Sequence, residues 1–320
     1  MRNYLPVLIA AAAAIALTLT VRDAYLLSLI NWIAIGALTA ASMRLVLLFG
    51  ELNFATAAFV GIGAYAAAVA TVELNLPFLL TLLVAGVLAA IVSVAFGFVT
   101  LRAKGPYFKL IGFAFAEVVR ICYTQSRTLG GNSGIVGIFP PMALEQWYPT
   151  FVMVVVIALL IAMYAVEKSD FGNLLSAIKD NDAVVQTVGI NVHLVKIACF
   201  AMASFVAGIA GALQAYTNNV ISPGDFTFFV SVFALAYLKI GGEHSVFGPI
   251  VGAIVLVIVG SIALTYGSGE LVIYGGAIVF GVLFMPRGIV GVAESLWKRM
   301  TGGAKRTSRP AGQSAEVNAR

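Results

Sequence analysis

A chain of 320 residues that is 61% hydrophobic and only 10% charged is too apolar for a soluble domain, and its apolar residues fall in runs of about 17 to 25, the length that crosses a bilayer core. The formal charge of +5 would suit a nucleic-acid partner, but the basic residues lie scattered between the runs and gathered in the C-terminal tail, as membrane topology alone produces. No nucleic-acid site is expected; membrane lipid is.

The first run, Tyr4–Thr20, reads as an uncleaved helix, because no convincing cleavage region precedes the next run at Ala24. Further runs follow at Ala24–Met43, Leu45–Thr71, Phe78–Leu101, Tyr107–Thr124, Thr150–Val166, Val195–Tyr216, Phe226–Ile240, Pro249–Tyr266 and Leu271–Met285. The expected fold class is therefore all-α, a polytopic membrane protein with about 8–10 transmembrane helices, some of them broken. An N-terminus in the cytoplasm puts Arg44, Arg102, Lys104, Lys109, Lys168, Lys179, Lys196 and the tail from Arg287 on the inside. Only Arg22 and Arg127 then fall outside, so both termini are expected in the cytoplasm. Cys122 and Cys199 lie inside apolar runs and read as small core residues rather than a disulfide or metal pair.

Two runs are interrupted in a similar way. Gly50-Glu51-Leu52-Asn53 breaks the third, and Gly241-Gly242-Glu243-His244-Ser245 precedes Gly248-Pro249 in the late part of the chain. A charge at the bilayer centre costs at least ~2.5 kcal/mol, so Glu51 and Glu243, with Asn53 and Ser245, should face protein or water. Paired interruptions point to an internal repeat and to a translocation path between its halves. Between them, Glu117 and Arg120 stand three apart on one helix face and can neutralise each other; a structural ion pair and a place in the path are both open. Ala207-Gly208-Ile209-Ala210-Gly211-Ala212 and Gly248 to Gly252 supply small residues for close helix packing.

The longest polar interruption is Glu167 to Lys196. Leu174, Ala177 and Ile178 recur there at helical spacing after Gly172, and Asp180, Asn181 and Asp182 can cap a second short helix, Ala183 to Val188, that Gly189 stops. The wording of this stretch, Phe171-Gly172, Ala177-Ile178-Lys179-Asp180-Asn181, Val188-Gly189-Ile190-Asn191-Val192 and Lys196, closely resembles the cytoplasmic coupling loop of the LivM-type permeases of branched-chain amino-acid ABC importers. The two interruptions, Leu101 to Phe108, Ala114 to Arg120, Gly130 to Gly134 and Pro286-Arg287-Gly288 extend the likeness from about Gly50 to Gly291. Glu51, Asn53, Ala55, Thr56 and Glu243-His244 depart from the family wording.

The resemblance implies a translocation subunit working by alternating access, with no enzyme activity and no cofactor of its own, since ATP is bound by two partner ABC ATPases. It also implies a second homologous permease subunit and a periplasmic or lipid-anchored substrate-binding protein, in the bacterial inner membrane. Gly172, Ala177, Ile178, Asp180, Ala183, Gly189 and Ile190 become the expected ATPase-coupling positions, within a permease domain spanning 1–296; residues 297–320 form a disordered basic cytoplasmic tail. The substrate is expected to be a branched-chain or related amino acid, with Glu51 and Glu243 offering acceptors for its ammonium group; relatives that carry urea or short amides are the alternative. A secondary transporter using Glu51, Glu117 or Glu243 for ions is the reading from another class. No GxxxxGK[ST] occurs, His193 and His244 form no metal cluster, and no nucleophile, base and orienter set supports a hydrolase.

Overall fold

The computed structural model describes residues 15–264 apart from 17, 19, 22, 104 and 244, together with scattered positions from 272 to 292. The 297–320 tail and most of the first and last expected spans lie outside the described residues.

The described chain is helical: α1 (Ala24–Leu47), α2 (Thr56–Val72), α3 (Phe78–Thr100), α4 (Pro106–Gln125), α5 (Tyr148–Lys168), α6 (Asp170–Asp180), α7 (Asp182–Thr187), α8 (Val192–Asn218), α9 (Phe229–Gly241) and α10 (Gly248–Leu264). α1, α3, α5 and α8 are each long and apolar enough to cross a membrane, while α2, α9 and α10 are shorter apolar helices. The α6–α7 pair defines one face, here the lower one. At the opposite, upper face two short strands, β1 (Ile135–Val136) and β2 (Val220–Ile221), pair antiparallel with Ile135 opposite Ile221.

Helices α2, α3 and α8 form the core, and small residues set how closely they approach. A Cβ at Gly63 would lie 2.1 Å from the Gly208 carbonyl oxygen, and one at Gly211 would lie 1.9 Å from that of Val60. Backbone therefore meets backbone where any side chain would hold the helices apart, the packing that membrane helices use when lipid supplies no hydrophobic drive. Gly252 against the Tyr237 carbonyl repeats the device in the α9–α10 pair. At the upper end, the buried Tyr216 hydroxyl hydrogen-bonds the hydroxyls of Thr71 (2.5 Å) and Thr81 (2.6 Å), tying α8 to α2 and α3.

Two of these helices start partway through the slab. Along α8 the chain climbs about 24 Å from Val192 to Gly208, where Gly63 packs. Thr56 lies seven residues before Gly63, about 10 Å lower, so α2 begins roughly halfway up. α9 reaches back only about 18 Å from Gly241 to Phe229, so it too begins near the middle. Segments outside the α-helices complete both paths: residues 48–55 rise from the lower face, and 219–228, which hold β2 and a short 3-10 turn at Pro223–Phe226, descend from the upper one. The interruption at Gly50 thus finds its structural counterpart in 219–228. The late one at Gly242, expected to be its partner, is a tight turn at the lower face between two antiparallel helices, where a Cβ at Gly248 would sit 1.9 Å from the Gly242 carbonyl oxygen.

Two further expectations change. Arg44, expected in a loop, lies inside α1 and is buried: an ion pair and a carbonyl satisfy its guanidinium, so the helix need not end there. Cys199 is a core residue, but Cys122 is exposed on α4, because that helix is packed along one side only.

Candidate functional site

The lower-face platform is built from α6 and α7. Leu175 and Ile178 turn inward and are buried, whereas Ala177 and Asp180 on the next positions are exposed. Asn181 breaks the helix and caps the next one, its Oδ1 accepting from the N–H groups of Ala183 (3.1 Å) and Val184 (3.3 Å). Gly189 then ends α7 at φ +84° with no atom near its missing Cβ, so the left-handed conformation itself calls for glycine. Asn191 caps α8 by accepting from Leu194 N–H at 3.2 Å. Gly172 is buried at the α5–α6 corner, where a Cβ would lie 2.0 Å from the Glu167 carbonyl oxygen, and Ile190 is partly buried against the main core.

Of the seven expected coupling positions, Ala177, Asp180, Ala183 and Gly189 are thus on the outer surface, while Gly172 and Ile178 are inside the fold. The large apolar side chains that do stand out are Val184, 58% exposed, and Val188, 75% exposed. Sequence reasoning missed them, although their i, i+4 spacing in a helix too short to bury both was the available signal.

The platform is fastened to the bundle by charge. Arg44 donates from Nη1 and Nη2 to the two oxygens of Glu167 at 2.5 and 2.9 Å, and from Nε to the Glu243 carbonyl at 3.1 Å. One side chain so joins α1, the end of α5 and the α9–α10 turn. Lys196 approaches Asp182 (3.9 Å) and lies over the Phe49 ring. His193, at the start of α8, has its Nε2 3.1 Å from the Phe98 carbonyl.

The expected path residues divide into two groups. Glu51, Glu243 and Ser245 belong to the lower face. Glu51 Oε1 accepts from Gly105 N–H at 3.2 Å while its buried Oε2 has no hydrogen-bond partner among the described residues, and Glu243 is paired with Lys239. Asn53, Glu117 and Arg120 lie deeper, near the place where the two connecting segments meet. There the Ser231 hydroxyl donates to the Phe54 carbonyl and accepts from Ala57 N–H, both at 2.9 Å, so α2 is capped from α9. Asn53 Oδ1 accepts from Ala55 N–H (3.0 Å) and Thr56 Oγ1 donates to the Asn53 carbonyl (2.7 Å). Phe228 stands edge-on to Phe54 and Phe113, with ring centroids 5.5 and 4.6 Å away. Above them Phe226 meets Tyr65, which stacks on Tyr123 at 4.1 Å. Irregular backbone at this depth is tolerated where it is buried in protein or lines a cavity, and here the Ser231 hydroxyl and the surrounding rings close over it.

The family model described as branched-chain amino acid transport system / permease component matches residues 25–285. The chain belongs to this family. The permease is 26% identical over 288 residues to the high-affinity branched-chain amino acid transport system permease protein LivM of Escherichia coli K12, an alignment covering 81% of this chain and 68% of the relative. It is 31% identical over 157 residues to the probable branched-chain amino acid transport permease protein LivH of Methanocaldococcus jannaschii, covering 46% and 48% of the two chains. The ribose import permease protein RbsC of Haemophilus influenzae is 22% identical over 244 residues, 72% of this chain and 74% of the relative. No solved structure matches the permease. It is a multi-pass membrane protein and the permease subunit of an ABC importer, not an enzyme; ATPase and substrate-binding components belong to the same system, and the ATPases hydrolyse the ATP.

Proposed function

We propose that this permease moves branched-chain or related amino acids across the bacterial inner membrane, alongside a second homologous permease subunit. One of two partner ATPases sits on the α6–α7 platform, and a periplasmic or lipid-anchored binding protein delivers the solute. Residues 1–296 act as one permease domain, and 297–320 as a basic cytoplasmic tail. The observation that carries this reading is the platform itself: apolar side chains of Ala177, Ala183, Val184 and Val188 stand exposed on the face that also gathers Arg44, Arg102, Lys168, Lys179, Lys196 and Lys239. Arg127 lies at the upper face. Cations gather at the cytoplasmic side of membrane proteins, which supports a cytoplasmic lower face, where ATP is; in this reading both termini lie on that side too.

In this reading Ala177, Asp180, Ala183 and Gly189 meet the ATPase, while Gly172, Ile178 and Ile190 hold the platform's shape from within. ATP occupies the partners, and the permease carries no cofactor. Asn53, Glu117 and Arg120 line the path at half depth, and Glu51, Glu243 and Ser245 form its lower mouth. The substrate class rests on the family and on the LivM relatives. It is tested by a thermal-shift screen of the partner binding protein, because a ligand that binds only the folded state raises the melting temperature. Leucine, isoleucine or valine should stabilise it; stabilisation by urea or a short amide with no response to these amino acids overturns the choice.

A further inference from the structure

Glu117 and Arg120 lie in the middle of α4, about 16 and 21 Å along the helix from Pro106 at the lower face. Glu117 Oε1 accepts from Arg120 Nε at 2.9 Å and from its Nη2. Among the described residues, Glu117 Oε2 and Arg120 Nη1 make no hydrogen bond, and the two side chains remain 38% and 28% exposed. An acid and a base at this depth do not face hydrocarbon; such groups turn to a bundle interior or to a water-filled path.

Their side of the helix identifies which. Phe113, Glu117, Arg120 and Thr124 recur at i, i+4, i+7 and i+11 and so share one face of α4. Phe113 is the ring that meets Phe228, and Ala116 packs near Val230. This side therefore borders the junction of the two connecting segments, and the ion pair stands about one turn above its aromatic closure.

We propose that Glu117 and Arg120 are the docking pair of the path for a zwitterionic amino acid, the substrate carboxylate taking Arg120 and its ammonium taking Glu117 as the internal pair opens. This rests on the amino-acid reading above. The exchange replaces one ion pair by two, and the net charge of the site stays at zero with or without substrate. The guanidinium fork suits a carboxylate held by two parallel bonds.

The test uses the whole importer, with its ATPases, second permease and binding protein, in proteoliposomes with L-leucine as probe. E117R/R120E keeps an ion pair but reverses it, and E117L/R120M removes both charges. Each is expected to assemble, shown by co-purification of the subunits, and to lower maximal leucine uptake at saturating binding protein tenfold or more. Uptake within twofold of wild type in either assembled variant overturns the proposal. Failure of both variants to assemble also overturns it, making the pair an assembly contact. A wild-type importer that takes up urea but no leucine overturns the amino-acid reading and this proposal together, whereas normal leucine uptake in wild type and variants alike removes the proposal alone.

Discussion

Arg44→Met should destabilise the permease out of proportion to the surface position its sequence suggests. The substitution keeps most of the side chain's length and removes three hydrogen bonds, two to Glu167 and one to the Glu243 carbonyl. It also leaves Glu167 charged and mostly enclosed, since the two side chains are 9% and 18% exposed. Taking one partner from a buried pair costs about 3–5 kcal/mol. The remaining solvent contact screens Glu167 somewhat, so the lower end, about 3 kcal/mol, is expected. At 2–4 °C per kcal/mol for chains approaching this size, the midpoint of thermal unfolding in detergent should fall by roughly 6–12 °C. R44M/E167M, which leaves no orphaned charge, should recover to within about 1 kcal/mol of wild type. A single variant that melts at the wild-type temperature, or a double variant as unstable as the single, refutes the clamp.

Two further outcomes are expected. Ala177→Asp and Val184→Asp should each leave the melting temperature of the isolated permease close to wild type, because both side chains are exposed, while Gly189→Val, a β-branched residue forced to φ +84°, should strain the turn between α7 and α8 and lower it. Each should sever co-purification with the ATPase or uncouple ATP hydrolysis from uptake; full transport in all three refutes the platform. Tyr216→Phe removes the hydroxyl shared by Thr71 and Thr81; each threonine keeps its bond to a carbonyl of its own helix, Ala67 and Phe78, at 2.7 Å, so the change should cost only about 0.5–1.5 kcal/mol, read as a slightly lower melting temperature, and an unchanged melting temperature refutes the tie.

The helices were legible in the chain because long apolar runs leave the backbone no other way to satisfy itself in lipid. The caps at Asn181 and Asn191 and the stop at Gly189 were legible for the local reason that those side chains and that conformation act within a few residues. Depth was not. Ser222 to Asp225 fall between two expected spans, with Phe226 as the start of the second, and only the contact of Phe226 with Gly61 and Tyr65, far away in sequence, places this stretch inside the slab. Arg44 reads as a loop charge because its partner is Glu167, 123 residues away. Ile178 and Val184 read alike as apolar residues of short helices; which is covered depends on the bundle beneath, and local spacing carries no record of it.

The segment from Leu48 to Ala55 touches the platform at one end and the mid-depth closure at the other. Gly50 lies so near α6 that a Cβ there would meet Lys179 Cγ at 3.3 Å, and Phe54 bears on Phe228. Three residues, Glu51 to Asn53, separate them, a reach of at most about 13 Å over four residue steps. Motion at the platform can therefore arrive at half depth along covalent bonds, as along a connecting rod, with no relay of side chains whose rotamers could absorb the stroke. Substitutions that soften the core should then lower the melting temperature yet leave the gearing between platform and closure intact, whereas one added or deleted residue between Gly50 and Phe54 should change the stroke itself.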